Sequence, residues 1–179
     1  MIRVIKKTTW IAILTSLGLS WMGCYGQPTG LVENEKFDKR LSYMLDSSEV
    51  PFLDVNSLKS NKQEYILLDA RAREEFEISH IPGAIWIGEN NYEKEDFDLI
   101  DRSKPVVVYC SVGYRSQLAG NKLQKFGFPK VYNLYGSIFE WANRSYPLEN
   151  IEGESTKRLH TYNSNWSKWV DNEEIEKVY

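Results

Sequence analysis

The residue whose surroundings point most directly to chemistry is Cys110, followed in the chain by Ser111, Val112, Gly113, Tyr114 and Arg115. It closes the apolar run 105–109. It precedes a stretch, 116–126, in which Leu118, Ala119, Leu123 and Phe126 fall on one helical face. A loop that opens a helix turns several N–H groups toward one centre, and the helix dipole adds positive potential there. Gly113 admits backbone angles that other residues resist. Arg115 brings a permanent charge and further donors. At the focus of those donors the Cys110 thiolate is stabilised and its pKa lowered. A thiolate without a His–Asp relay suits attack on a soft, polarised sulfur or on an activated phosphate. The chain has two histidines, His80 and His160, and neither lies in the loop, which disfavours a papain-like Cys–His pair. One cysteine in the segment excludes a C-x-x-C redox pair, and no metal-ligand set accompanies it. The plain alternative is a buried structural cysteine.

The elements that must hold this loop alternate along the chain. Short apolar runs at 50–53, 65–68, 84–87, 105–109 and 130–134 read as strands. Stretches at 56–62, 73–77, 93–101, 116–126 and 138–143 read as helices, the one at 93–101 weakly. Such alternation implies an α/β fold with a parallel sheet of about five strands and helices on both faces. Ligands of such sheets sit beyond the carboxyl ends of the strands. Asp69 and Cys110 both occupy that position. Upstream, 27–35 reads as a linker and 37–46 as an amphipathic helix carrying Phe37, Leu41, Met44 and Leu45. The expected organisation is a leader over 1–23, a linker and helix over 24–49, a domain over 50–148 and an extension over 149–179. In the extension Trp166 and Trp169 are expected to pack back on the domain, a partner-binding tail being the alternative.

Composition narrows the partners. The chain of 179 residues carries 22 basic and 25 acidic side chains. Without Arg3, Lys6 and Lys7 the balance is 19 against 25, or −6, which leaves no electrostatic footprint for nucleic acid. Those three cations precede an apolar run over 10–19 that is too short to span a bilayer comfortably but suits a signal-peptide core. Gly23 followed by Cys24 resembles a lipoprotein processing site, with Cys24 as the lipidated residue and a membrane attachment point; cleavage after Gly26 is the competing expectation. Either places the domain outside the cytoplasm, in the periplasm or on a membrane. Cys110 then stands without a disulfide partner. A monomer is the default expectation.

A resemblance runs through these segments. Leu67-Leu68-Asp69-Ala70-Arg71, then Glu75-Phe76, then His80-Ile81-Pro82-Gly83-Ala84 is similar to the first signature of the rhodanese family. The phrase Val107-Val108-Tyr109-Cys110-Ser111-Val112-Gly113-Tyr114-Arg115-Ser116 resembles its active-site strand and loop, and Leu118-Ala119, Leu123, Gly127-Phe128, Val131, Leu134, Gly136 and Trp141 continue the pattern. Ser137 departs from it, since a second Gly often follows the position of Gly136.

The resemblance implies a rhodanese-like fold and a sulfurtransferase. Cys110 takes a sulfur atom from a small donor such as thiosulfate, forms a persulfide and passes the sulfur to a thiol or to cyanide. The amides of Ser111, Val112, Gly113, Tyr114 and Arg115 cradle that persulfide, Arg115 helps hold an anionic donor, and Asp69 with Arg71 supports the loop from the neighbouring strand end. His80, with Pro82 and Gly83, shapes a turn. No cofactor and no metal are implied. Related phosphatases and arsenate reductases place Arg one position later, where this chain has Ser116; the tighter ring here favours sulfur over phosphate. A non-catalytic persulfide carrier or binding module on the same fold is the alternative, with a phosphatase or arsenate reductase behind it.

Overall fold

The computed structural model describes residues 29–179, so the leader at 1–23 and Cys24 lie outside the described residues. Five strands form one parallel sheet in the order β1-β5-β4-β2-β3. They are β1 (Phe52–Leu53), β2 (Ile66–Asp69), β3 (Ile85–Trp86), β4 (Val106–Tyr109) and β5 (Val131–Leu134). The central strand β4 reads Val-Val-Val-Tyr and is buried along its whole length, as β-branched and aromatic residues favour for a strand covered on both faces. Val107 and Tyr109 point into one apolar cluster and Val106 and Val108 into the other. Each buried valine contributes roughly 1.5–3 kcal/mol by leaving water.

The helices divide between those two clusters. Residues of α1 (Glu35–Met44), α2 (Val55–Asn61) and α5 (Ser137–Asn143) fill the first, and residues of α4 (Tyr114–Lys125) fill the second. A short helix α3 (Arg73–Ile78) follows β2. Asn34 and Asp54 cap α1 and α2 by accepting from the first-turn amides. Helix α1 is pinned through Asp38, which accepts from the Tyr135 hydroxyl at 2.8 Å and from the Thr29 hydroxyl and Gly30 amide, both at 2.7 Å.

The C-terminal stretch is part of the same body. After β6 (Leu148–Glu149) and β7 (Ser155–Thr156), strand β8 (Arg158–His160) pairs in parallel with β9 (Glu176–Val178), and the short helix α6 (Ser164–Ser167) lies between them. Leu159, Val170 and Ile175 enter the first core cluster, and Trp169 stacks on Phe37 with ring centroids 5.4 Å apart. Trp166 packs against the same cluster, so both tryptophans fold back on the domain.

Some boundaries differ from those the sequence suggests. The stretch 93–101 holds only a 3-10 turn, Lys94–Phe97, because Phe97 is its single buried apolar anchor. Helix α4 begins at Tyr114 rather than at 116: Gly113 takes φ +113° as its N-cap residue, so the chain turns there and helical geometry starts at once. Tyr114 and Arg115 therefore stand in the first turn of α4, not in the loop.

Candidate active site

Cys110 leaves the carboxyl end of β4 with its side chain almost wholly buried. Its surroundings explain how that burial is tolerated. The Gly113 N–H donates to Sγ at 3.1 Å, and the Ser116 Oγ lies 3.6 Å from it. Ser116 also donates to Asn133 Oδ1 at 2.7 Å, while Asn133 Nδ2 donates to the Gly113 carbonyl at 2.9 Å, so β5 braces the loop from behind. The start of α5 holds the other side. Ile138 and Phe139 donate their amides to the Cys110 and Ser111 carbonyls at 3.2 and 3.3 Å. The N–H groups of Ser111, Val112, Tyr114 and Arg115 have no acceptor among the described residues.

The electrostatics follow from the same contacts. Burial pushes the Cys110 thiol up; the Arg115 charge, the Ser116 hydroxyl and amide and the Gly113 amide outweigh it and hold the thiol below its ordinary value. Arg115 acts at range rather than as an open fork. Its guanidinium donates to Glu75 at 2.6 and 2.8 Å and to the Ser111 hydroxyl at 2.9 Å, and it also pairs with Glu89. Arg115 lines the pocket beside Cys110, with its terminal nitrogens engaged by two carboxylates and the Ser111 hydroxyl. Burial raises the Glu75 carboxyl, but the Arg115 hydrogen bonds and charge win, and its pKa lies below the usual carboxylate value. Ser111, chemically neutral in sequence, spends its hydroxyl on this network, donating to Glu75 at 3.0 Å.

Asp69 and Arg71 form a closed pair beside the loop. Asp69 takes the Arg71 amide at 3.0 Å and its guanidinium at 2.6–3.0 Å, both side chains being sealed from solvent. Arg71 continues to the Ser79 carbonyl at 2.6 Å. Asp69 is in register with Tyr109, the residue before Cys110. Neither side chain lines the pocket at Cys110. His80 does not line it either. The ring stacks on Phe76, its Nδ1 lies 3.0 Å from the Phe76 carbonyl and its Nε2 lies 3.2 Å from Glu149, which ties the turn to β6.

Other participants take roles that the sequence does not express. Ser137, visible there only as a departure from the family pattern, is one. It holds φ +53°, the conformation that suits Gly at this position, and its hydroxyl accepts the Cys110 N–H at 3.2 Å while donating to the Leu134 carbonyl at 3.1 Å. The departure from the family pattern therefore adds a brace behind Cys110. His160 is another: its Nδ1 accepts the Tyr162 N–H at 3.1 Å and lies 3.9 Å from Glu75. A pocket of about 420 Å³ opens in front of Cys110, lined by Ser111, Val112, Tyr114 and Arg115 and walled by Met44, Tyr162 and Trp166. Among the described residues no cluster of three or more His, Cys, Asp or Glu side chains is placed to hold a metal ion.

A family model for the rhodanese-like domain matches residues 51–144. The thiosulfate sulfurtransferase GlpE of Pseudomonas syringae is 33% identical over 111 residues, covering 62% of this chain and all of that protein. The adenylyltransferase and sulfurtransferase UBA4 of Candida albicans is 33% identical over 105 residues, covering 55% of this chain and 24% of that protein. Across three of the curated relatives the chain spans 24%, 41% and 55% of their length. Among solved structures, the rhodanese-like domain of the Anabaena protein Alr3790 superposes with a TM-score of 0.52 at 27% identity, covering 56% of this chain and 80% of that one.

Proposed function

We propose, from the premise that this chain belongs to the rhodanese-like family and that its relatives include sulfurtransferases, that it moves sulfane sulfur through a persulfide on Cys110. The observation that carries this reading is the environment of Sγ. Sγ accepts the Gly113 amide and has the Ser116 hydroxyl 3.6 Å away, with further loop amides unpaired among the described residues and a pocket in front. In the first step the Cys110 thiolate attacks the outer sulfur of thiosulfate. A sulfur–sulfur bond forms to Sγ, the bond to the sulfonate sulfur breaks, and sulfite leaves with the electron pair. In the second step an acceptor nucleophile, a thiolate or cyanide, attacks the outer sulfur of the persulfide, and Cys110 departs as thiolate. This is covalent, ping-pong catalysis, with fixed main-chain donors stabilising the charge on sulfur.

Asp69 and Arg71 serve this chemistry as supports. Their mutual bonds fix the end of β2 against Tyr109, and thereby the start of the loop. Ser111, Val112, Gly113, Tyr114 and Arg115 contribute main-chain donors, and Arg115 adds long-range charge. Export, with lipidation at Cys24 as the form of attachment, is the proposed setting, and mass analysis of the mature N-terminus in the native host tests it. The activity is tested by thiosulfate–cyanide turnover beside a Cys110→Ser variant. Turnover abolished by the substitution supports the reading. A stable added sulfur without turnover identifies a carrier, and turnover that survives Cys110→Ser contradicts the role of Cys110.

A further inference from the structure

The pocket in front of Cys110 has a floor and a wall of different origin. The floor is the loop and the first turn of α4. The wall is Met44 from α1 with Tyr162 and Trp166 from the C-terminal stretch, and all three lie outside the family-matched residues 51–144. This wall is fixed in place. Trp169 is stacked on Phe37, and the Asn143 amide donates to the Trp169 carbonyl at 2.9 Å. Asn163 caps α6 by accepting from the Asn165 and Trp166 amides. Tyr162 itself holds φ +65°, a conformation that aromatic residues rarely adopt, and strain of this kind concentrates at functional positions. Its ring lies over the Arg115 guanidinium at 5.4 Å.

The chemistry of the pocket follows. Arg115 is the cation among its lining residues, and that charge is opposed by Glu75 and Glu89 and covered by the Tyr162 ring. What faces an incoming molecule is thioether and aromatic surface. The space, about 420 Å³, far exceeds what a small inorganic sulfur donor fills. We propose that Met44, Tyr162 and Trp166 select the sulfur acceptor, and that this acceptor is a small organic thiol carrying an uncharged apolar or aromatic group. The inference rests on the persulfide reading above and specifies its second step. The acceptor thiolate R–S⁻ attacks the outer sulfur of Cys110–S–SH, the new bond gives R–S–SH, and the Sγ–S bond breaks with its electron pair returning to Cys110 as thiolate. The wall holds R; the loop amides receive the charge left on Sγ.

The test uses the full chain loaded with thiosulfate bearing a radiolabelled outer sulfur. Single-turnover release of label is compared between phenylmethanethiol and mercaptoacetate at equal thiolate concentration. Partial burial of one aromatic ring corresponds to a preference of about tenfold or more for phenylmethanethiol. Tyr162→Ala and Trp166→Ala each bring the ratio toward one, and Tyr162→Phe retains it. Met44→Lys lowers the ratio further than Met44→Leu, because a cation in the wall favours the carboxylate of mercaptoacetate. These conservative pairs separate selection from misfolding, since the readout is a ratio within one variant. A ratio near one in the unaltered chain, or a ratio preserved in both alanine variants and in Met44→Lys, overturns the proposal. Failure of the label to reach Cys110 at all, seen before any acceptor is added, overturns the persulfide reading itself.

Discussion

Replacing Glu75 by Gln perturbs both the fold and the Cys110 thiol, with opposite signs. The Glu75 side chain is 3% exposed and accepts four hydrogen bonds: two from Arg115, at 2.6 and 2.8 Å, one from Ser111 and one from the Ala72 amide, each at 3.0 Å. Each carboxylate oxygen takes two of them, so a Gln amide keeps two acceptor contacts and turns an NH2 group toward donors. Breaking a buried ion pair by removing one partner costs about 3–5 kcal/mol. Arg115 keeps some solvent contact and a second partner in Glu89, which brings the expected loss to about 2–3 kcal/mol. For a domain of this size that is a fall in Tm of roughly 4–12 °C. The pH dependence has a definite sign. The folded Glu75 carboxyl lies below its unfolded value, so its contribution is present above the unfolded pKa and is lost as pH falls through the folded one. Glu75→Gln therefore flattens the acid limb of the stability curve. At the same time Arg115 is less neutralised while Glu89, Ser111 and Tyr162 still hold it. The Cys110 thiol becomes more acidic, and the pH profile of its alkylation moves to lower pH. Urea unfolding across pH and alkylation kinetics measure the two effects. A stability loss below about 1 kcal/mol, or an alkylation profile moving to higher pH, refutes the reasoning.

Three further substitutions probe the frame around the loop. Gly113→Ala places a Cβ 3.0 Å from Leu45 at φ +113° and is expected to cost about 2–4 kcal/mol in urea unfolding, combining backbone strain with overpacking; an unchanged midpoint contradicts this. Asp69→Asn leaves the sealed Arg71 guanidinium without its counter-charge and is expected to cost about 3–5 kcal/mol, part of which Asp69→Asn with Arg71→Met restores; a double-mutant cycle showing simple additivity contradicts the coupling. At position 137 the usual order reverses: Ser137→Gly relieves the positive φ and is less destabilising than Ser137→Ala, which keeps the strain and loses the Cys110 contact, by about 1 kcal/mol in thermal unfolding, and equal losses contradict this.

Cys110, the strand before it and the alternation of strands and helices along the chain were legible in the residues because they depend on short-range patterning. The run at 106–109 is apolar without interruption, and Cys110 and Asp69 fall at strand ends where such sheets gather their sites. The partners of Arg115 were not legible. Glu75 and Glu89 lie 40 and 26 positions away; Glu75 falls within the family signature, but neither its pairing with Arg115 nor that of Glu89 is expressed by local spacing. The pocket wall was hidden for the same reason. Met44 read as packing on a helical stripe and Trp166 as a tail residue folding back, yet both meet in front of Cys110 once the sheet and the tail are assembled. Ser137 was visible as a departure from the family pattern. Its consequence depends on a hydroxyl reaching the Cys110 amide across 27 positions, which spacing alone cannot express.

The measurement that bears most directly on the account is the intact mass of the purified protein after exposure to thiosulfate, with peptide mapping to locate any change. Gain of one sulfur atom on the peptide containing Cys110, absent from Cys110→Ser, is the expected result. No gain on the unaltered chain, or an equal gain on Cys110→Ser, contradicts the claim that the loop amides hold an anionic Cys110 poised to accept sulfur.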